Sequence, residues 1–469
     1  MFNRKFYLIV NRKSCLIVNF GPDPGSSHGG SNQKISTEMI SEIIRNKIAG
    51  KFFGQHEIKF QNIIPQDSSI AQNFKELDET GLYLHIPFCN QICPYCPYNK
   101  ELFHEDLARN YAAAVVREVK KYAALMAGKP ISSFYIGGGT PTTMLGKGLE
   151  EILDAVFKNF NMRCSIHIES HPNHLSNENL DALKSLGVKY LSVGVEALQN
   201  RHLKLLERPY TENEVKDFVS RAAGKNFECL NIDFIFDLPG QTISEVEQAI
   251  SSMIKLGINQ AATYPLFRFQ YTRFGKELPD KRNILSTMFR RRKFLKVIEE
   301  IFYGSRFERS SVWAFTQKGM DKYCSVTVPS YLGIGASGSS YLKNMFYVNT
   351  FNVKEYIRAM ENNNSPIALS FDLSEKAQMA GWLYWRIYET KFRKSDFQRR
   401  FGQSIDKEYG TYFSLMEKIG FLQNGQDLIN LTDRGAYWIH AFEDFFSIDY
   451  INKLWGTSKT NPWPEQIIL

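Results

Sequence analysis

The chain has 469 residues, 43% of them apolar and 23% charged, with a formal net charge of +8. Such a length accommodates two or three domains of about 100–200 residues each and buries a full core without disulfide staples. The mild positive balance comes without a dense Lys/Arg tract, which speaks against a nucleic-acid tail, and no stretch approaches the ~20 apolar residues of a membrane span.

In chain order, the opening MFNRKFYLIVNRKSCLIVNF carries two apolar runs divided by Asn11 to Ser14, each too short for a signal-peptide core. It predicts strand–turn–strand. Gly21 to Asn32, rich in Gly, Pro, Ser and Asn, predicts a loop, and a helix is expected near Ile35 to Ala49 behind a Ser36-Thr37 cap region. Residues 1–80 therefore form an N-terminal extension.

From Leu82 the pattern becomes regular. Six β-rich apolar runs, LYLHI (82–86), SSFYI (132–136), CSIHIE (164–169), YLSVGV (190–195), CLNIDFIF (229–236) and QAATYPLF (260–267), alternate with amphipathic stretches such as Leu107 to Ala127 and Glu245 to Leu256. Strand–helix alternation at this spacing predicts parallel βα units, an α/β fold of the partial (β/α)6 barrel kind over residues 81–345. Active sites of such barrels sit at the C-terminal strand ends. Chemically useful residues gather there: a cysteine cluster after the first strand, Gly137 to Gly139 after the second, Glu169 closing the third, Glu196 after the fourth, Asp233 late in the fifth.

Residues 346–469 read as a small winged-helix-like α+β domain. Ser374 opens a helix, short helices follow over Lys394 to Phe401 and Lys407 to Ile419, then a hairpin at Asn424-Gly425 and a helix from Asp433. The exposed positions are not notably basic, so a lid or docking role is expected rather than DNA binding.

The chain has seven cysteines, an odd number, three of them within eight residues. That is no secreted disulfide framework and implies a reducing, cytoplasmic setting. Cys89-x3-Cys93-x2-Cys96 offers three thiolates from one loop, the way iron–sulfur clusters are held. Three ligands for four irons leave one position open, as on a catalytic metal. A zinc knuckle, in a TIM-like hydrolase with a structural metal, is the competing interpretation; only His85 and His104 are near enough in sequence to complete it, and neither has finger spacing. Cys15, Cys164, Cys229 and Cys324 read as buried apolar thiols.

With these motifs the sequence resembles the radical S-adenosylmethionine (SAM) superfamily, and within it the oxygen-independent coproporphyrinogen III oxidase-like group, over residues 82–345 and roughly 370–440. The resemblance implies a [4Fe–4S] cluster on Cys89, Cys93 and Cys96 with SAM on the open iron. YIGGGTPT carries over Gly138, Gly139 and Thr140 as SAM contacts. Tyr83 matches a further contact, Tyr95 an aromatic residue beside the cluster, and Glu169 a SAM-binding carboxylate. Glu196 stands where the family has Gln, with Arg208 keeping the family spacing; Asp233 matches the family Asp, and Ser339, in YLGIGASGSSYL, a late Gly-rich loop over the adenine.

The resemblance further implies SAM cleavage to a 5′-deoxyadenosyl radical acting on a tetrapyrrole-like small molecule, coproporphyrinogen III dehydrogenase-like, with a flavodoxin- or ferredoxin-type reductant and neither nucleic acid nor membrane as partner. True coproporphyrinogen oxidases carry a further cysteine two residues after the third ligand; here that position is Tyr98. Two alternatives follow: a C-methyltransferase using two SAM molecules, or a haem chaperone with His85 as a candidate axial ligand.

Overall fold

The six apolar runs become six parallel strands: β1 (Thr80–Ile86), β2 (Pro130–Gly138), β3 (Ile166–Ser170), β4 (Val188–Glu196), β5 (Cys229–Phe236) and β6 (Gln260–Pro265). The computed structural model describes residues 58–278, 284–323 and 328–469. The chain divides into two units, Met1–Ile44 and Arg45–Leu469, and every described residue belongs to the second. The strand pair and helix expected before residue 50, and Cys15 and Cys324, lie outside the described residues.

Each barrel strand pairs with the next in sequence order, all parallel. Crossing helices α1 (Glu105–Met126), α2 (Leu149–Asn159), α3 (Asn177–Ser185), α4 (Glu212–Ala223) and α5 (Ile243–Lys255) cover the outside. Their starts are written locally: Ser176 caps α3, and Thr211 with Glu214 and Thr242 with Glu245 form reciprocal capping boxes on α4 and α5. In β3, Ile166, Ile168 and Ser170 are buried while His167 and Glu169 alternate with them, so the period of two sends the polar pair to the opposite face from the isoleucines.

Beyond β6 the sheet continues antiparallel through Ala314–Gln317 and Phe307–Arg309. On the other flank Tyr331–Ile334 lies parallel to β1. Ser339–Tyr341, Met345–Asn349 and Ile367–Asp372 then follow antiparallel. Lys59–Gln61 joins Ile367–Asp372, and Gln466–Ile468 closes the row. The strand Lys59–Gln61 and the helix Asp67–Lys75, which buries Ile70 and Phe74, were not expected within the N-terminal extension.

The C-terminal elements follow the sequence closely: helices Glu375–Tyr388, Lys394–Phe401 and Ile405–Lys418, and a sheet of Lys391–Arg393, Leu428–Leu431 and Leu422–Asn424. They enclose a core of their own around Trp382, Phe397, Ile405, Phe413 and Ile429. The last helix, Asp433–Thr460, is far longer than a wing-closing helix requires and carries its end back to the barrel mouth. Among the described residues no helix is long and apolar enough to cross a membrane.

Candidate functional site

The cysteine loop leaves β1 and is tied at its neck. Glu101 N–H donates to Pro87 O (2.7 Å) and Phe103 N–H to Cys89 O (2.9 Å). Its flanks are fastened on several sides: Asn90 to His174 (3.0 Å), Gln91 to Glu207 O (2.8 Å), and Phe274 N–H to Pro94 O (3.0 Å). From the C-terminal helix, Lys459 donates to Pro97 O (2.7 Å) and Tyr98 O (3.0 Å). Cys89, Cys93 and Cys96 are all unpaired and partly exposed.

Burial pushes the Cys89 thiol up to about 12, with Cys96 and Cys93 repelling its charge, while Thr140 Oγ1 donates to its sulfur at 3.6 Å. The donor set fits a cluster: three soft thiols of one loop close enough to feel one another, with Cys89 and Cys93 buried where their thiolates are favoured only once cationic iron is present. Among the described residues no three His, Cys, Asp or Glu side chains converge as a lone ion demands; a cluster spreads its thiolates over separate irons.

The glycines at the end of β2 are required by contact. A Cβ on Gly139 would lie 2.7 Å from Phe88 O, one on Gly138 2.5 Å from the His85 ring, and one on Gly137 2.9 Å from the Glu169 carboxyl. The bare strand end thus lies directly against the cysteine loop. Glu169 accepts from Gly138 N–H (3.0 Å) and from the Tyr135 hydroxyl. Its carboxyl is raised by burial. His85 Nε2 meets Asn99 O at 3.0 Å, so it carries the proton; Nδ1 therefore accepts from Tyr83 Oη at 2.8 Å. Burial lowers His85 to about 4 and keeps it neutral.

At the end of β4, Arg208 donates to Glu196 Oε1 at 2.8 Å, and Tyr264 lies 3.4 Å from Oε2. Arg208 also sits 5.8 Å above the Tyr95 ring. Glu196 has φ +69°, at an irregularity in the β4–β5 pairing. Asp233 accepts from Ser192 (3.0 Å) and Asn231 (2.9 Å). Burial, with the charges of Glu196 and Glu169, raises it to about 8. Three carboxyls and one guanidinium thus share this interior, an environment suited to a cationic ligand.

A cavity of about 240 Å³ opens beside them. Of the expected residues, Tyr83, Gly138, Glu169 and Ser339 line it; Glu196, Arg208, Asp233 and Tyr95 lie outside its wall, coupled electrically to one another and to Glu169. Five aromatic side chains, Tyr98, Tyr331, Phe351, Trp385 and Trp455, also line it. Tyr98 and Trp455 lie 5.8 Å apart and Trp455 and Phe351 6.2 Å. Sequence reasoning missed Trp385 and Trp455, because partly exposed aromatics on two separate helices carry no spacing that relates them.

Residues 83–253 match the family model described as the Radical SAM superfamily. The heme chaperone HemW of Bacillus subtilis is 26% identical over 360 residues, 75% of this chain and 95% of that protein. HemW of Lactococcus lactis is 27% identical, covering 79% and 98%. The oxygen-independent coproporphyrinogen III oxidase of Synechocystis is 23% identical, covering 83% and 90%. In fold, the chain matches coproporphyrinogen III oxidase (HemN) from Escherichia coli with a TM-score of 0.69 at 19% identity, over 82% of this chain and 94% of that one. Residues 83–253 thus match the radical SAM superfamily, a family that uses a [4Fe–4S] cluster and SAM, and the chain is similar along most of its length to HemW and the oxygen-independent coproporphyrinogen III oxidases.

Proposed function

We propose that Cys89, Cys93 and Cys96 hold a [4Fe–4S] cluster, that SAM binds beside it against Tyr83, Gly138, Gly139, Thr140, Glu169 and Ser339, and that the protein acts on a tetrapyrrole in a coproporphyrinogen dehydrogenase-like reaction. The single observation that carries this reading is the meeting of the cysteine loop, the bare end of β2 and the buried carboxyls at one barrel mouth. When bound, the cluster and SAM supply one-electron chemistry that yields a 5′-deoxyadenosyl radical.

The chain's own residues do the rest. Gly138 and Gly139 let backbone approach the ligand. Glu169, which lines the cavity, orients the ligand's charged end, and the Glu196–Arg208 pair and Asp233 shape the field behind it. Tyr83 keeps its proton on a bond to His85 Nδ1, and the aromatic wall excludes water and offers flat faces to a planar substrate. The exposed side of the cysteine loop, with Ile92 and Leu102, is where a flavodoxin- or ferredoxin-type reductant would approach. The module over 346–469 serves as a lid, through Trp385 and Trp455.

A second reading, haem handling without turnover of coproporphyrinogen, is favoured by one feature: Tyr98, packed on Trp455, occupies the position of the oxidases' additional cysteine. Anaerobic reconstitution decides among these. Iron and sulfide bound by the wild type and lost in the Cys89→Ala, Cys93→Ala, Cys96→Ala triple variant are expected, together with 5′-deoxyadenosine formation. Carbon dioxide released from coproporphyrinogen supports the dehydrogenase reading, and a Soret band with haem but no such release supports the chaperone. A wild type that binds no iron and sulfide refutes the whole proposal.

A further inference from the structure

Helix α1 carries two fully buried polar side chains, Tyr111 and Glu118, that belong to no motif. Among the described residues no cation lies within bonding distance of Glu118; three neutral donors converge on it. Gly335 N–H (2.8 Å) and the Tyr356 hydroxyl (2.6 Å) donate to Oε2, and the Asn349 amide (2.8 Å) donates to Oε1. A buried acid with only neutral partners is costly, and simple core packing would select an apolar residue. A carboxylate is needed because it alone accepts from three donors without presenting a donor of its own.

All this bonding serves one turn. The Asn349 amide also donates to Gly335 O (3.0 Å), and Gly338 N–H does so at 2.9 Å. Tyr111 Oη accepts from Ala336 N–H (2.9 Å) while donating to His85 O (2.7 Å). Gly335 has φ +97°, and a Cβ there would lie 2.4 Å from Tyr111 Oη. Within the same turn, Ser337, with φ +62°, and Ser339 line the cavity together with Tyr83 and Glu169. Tyr111 thus links the end of β1, at the root of the cysteine loop, to the turn that carries these cavity-lining serines.

We infer that Glu118 and Tyr111 are positioning residues for SAM: they hold the Gly335–Ser339 turn as the wall of its pocket and join that wall to the cysteine loop. The inference rests on the SAM reading above. Its test uses the anaerobically reconstituted full chain, with SAM affinity from equilibrium dialysis set against iron and sulfide content and thermal midpoint. Glu118→Gln, which turns an amide N–H₂ toward donors, is expected to weaken SAM binding at least tenfold with iron content unchanged. Tyr111→Phe, which removes one hydroxyl and preserves the packing, is expected to weaken it about three- to tenfold, and it keeps the inference testable should Glu118→Gln fail to fold. A lowered thermal midpoint with wild-type SAM affinity in Tyr111→Phe would show a merely structural role and overturn the inference. A wild type that holds the cluster yet binds no SAM would instead overturn the underlying reading, and the inference with it.

Discussion

Arg208 donates to Glu196 across 2.8 Å inside the barrel, with side-chain exposures of only 5% and 9%. Removing one partner leaves the other charge stranded. Arg208→Met is expected to cost about 3–5 kcal/mol. Glu196→Gln, which keeps an acceptor for the guanidinium, should cost less, about 1–3 kcal/mol. The double variant should recover part of the Arg208→Met loss. Urea unfolding of all four proteins measures the coupling, and strict additivity would show that the two charges do not interact.

Asp233 supplies a pH signature. Its folded-state value of about 8 lies above the unfolded one, so the native state holds the proton, and this group's contribution to stability falls as pH rises toward 8. Asp233→Asn should flatten that slope and raise the melting temperature at pH 8. A cationic ligand favours the ionised form, so SAM binding at pH 7 should release a proton. Calorimetry in buffers of different ionisation enthalpy should detect that release in the wild type and not in Asp233→Asn.

Gly139→Ala tests the close approach of β2 to the cysteine loop. The added carbon would meet backbone, Phe88 O at 2.7 Å and Pro87 C at 2.8 Å, so the loop must shift. A penalty of about 1–3 kcal/mol and a fall in iron content after reconstitution are expected. Gly146→Ala, where nothing lies within 4 Å but φ is +67°, should lower stability without touching iron content.

Trp455→Ala removes the contacts with Tyr98 and Phe351. A stability loss of about 3 kcal/mol is expected, along with weakened porphyrin binding read by absorbance titration. Trp455→Phe should restore most of both.

The barrel strands and the C-terminal hairpin were legible because each rests on local pattern: LYLHI and CLNIDFIF are apolar runs between breakers, and Asn424-Gly425 is turn chemistry. The site was legible to the extent that barrel chemistry sits at strand ends, which singled out Glu169, Glu196 and Asp233. Lys59–Gln61 and Gln466–Ile468 were not, since three-residue strands acquire meaning only from partners that are remote in sequence. Nor was the role of Glu118: on an amphipathic helix it reads as one more solvent-facing acid until the turn it serves is folded against it.

The pairing of Lys59–Gln61 with Gln466–Ile468 has a biosynthetic consequence. The early strand waits, one edge exposed, until a partner far later in the sequence has been made. Lys459 and Trp455, which brace the cysteine loop, arrive equally late. A nascent chain stalled ahead of the helix Asp433–Thr460 would therefore display the thiols without the clamp that steadies them.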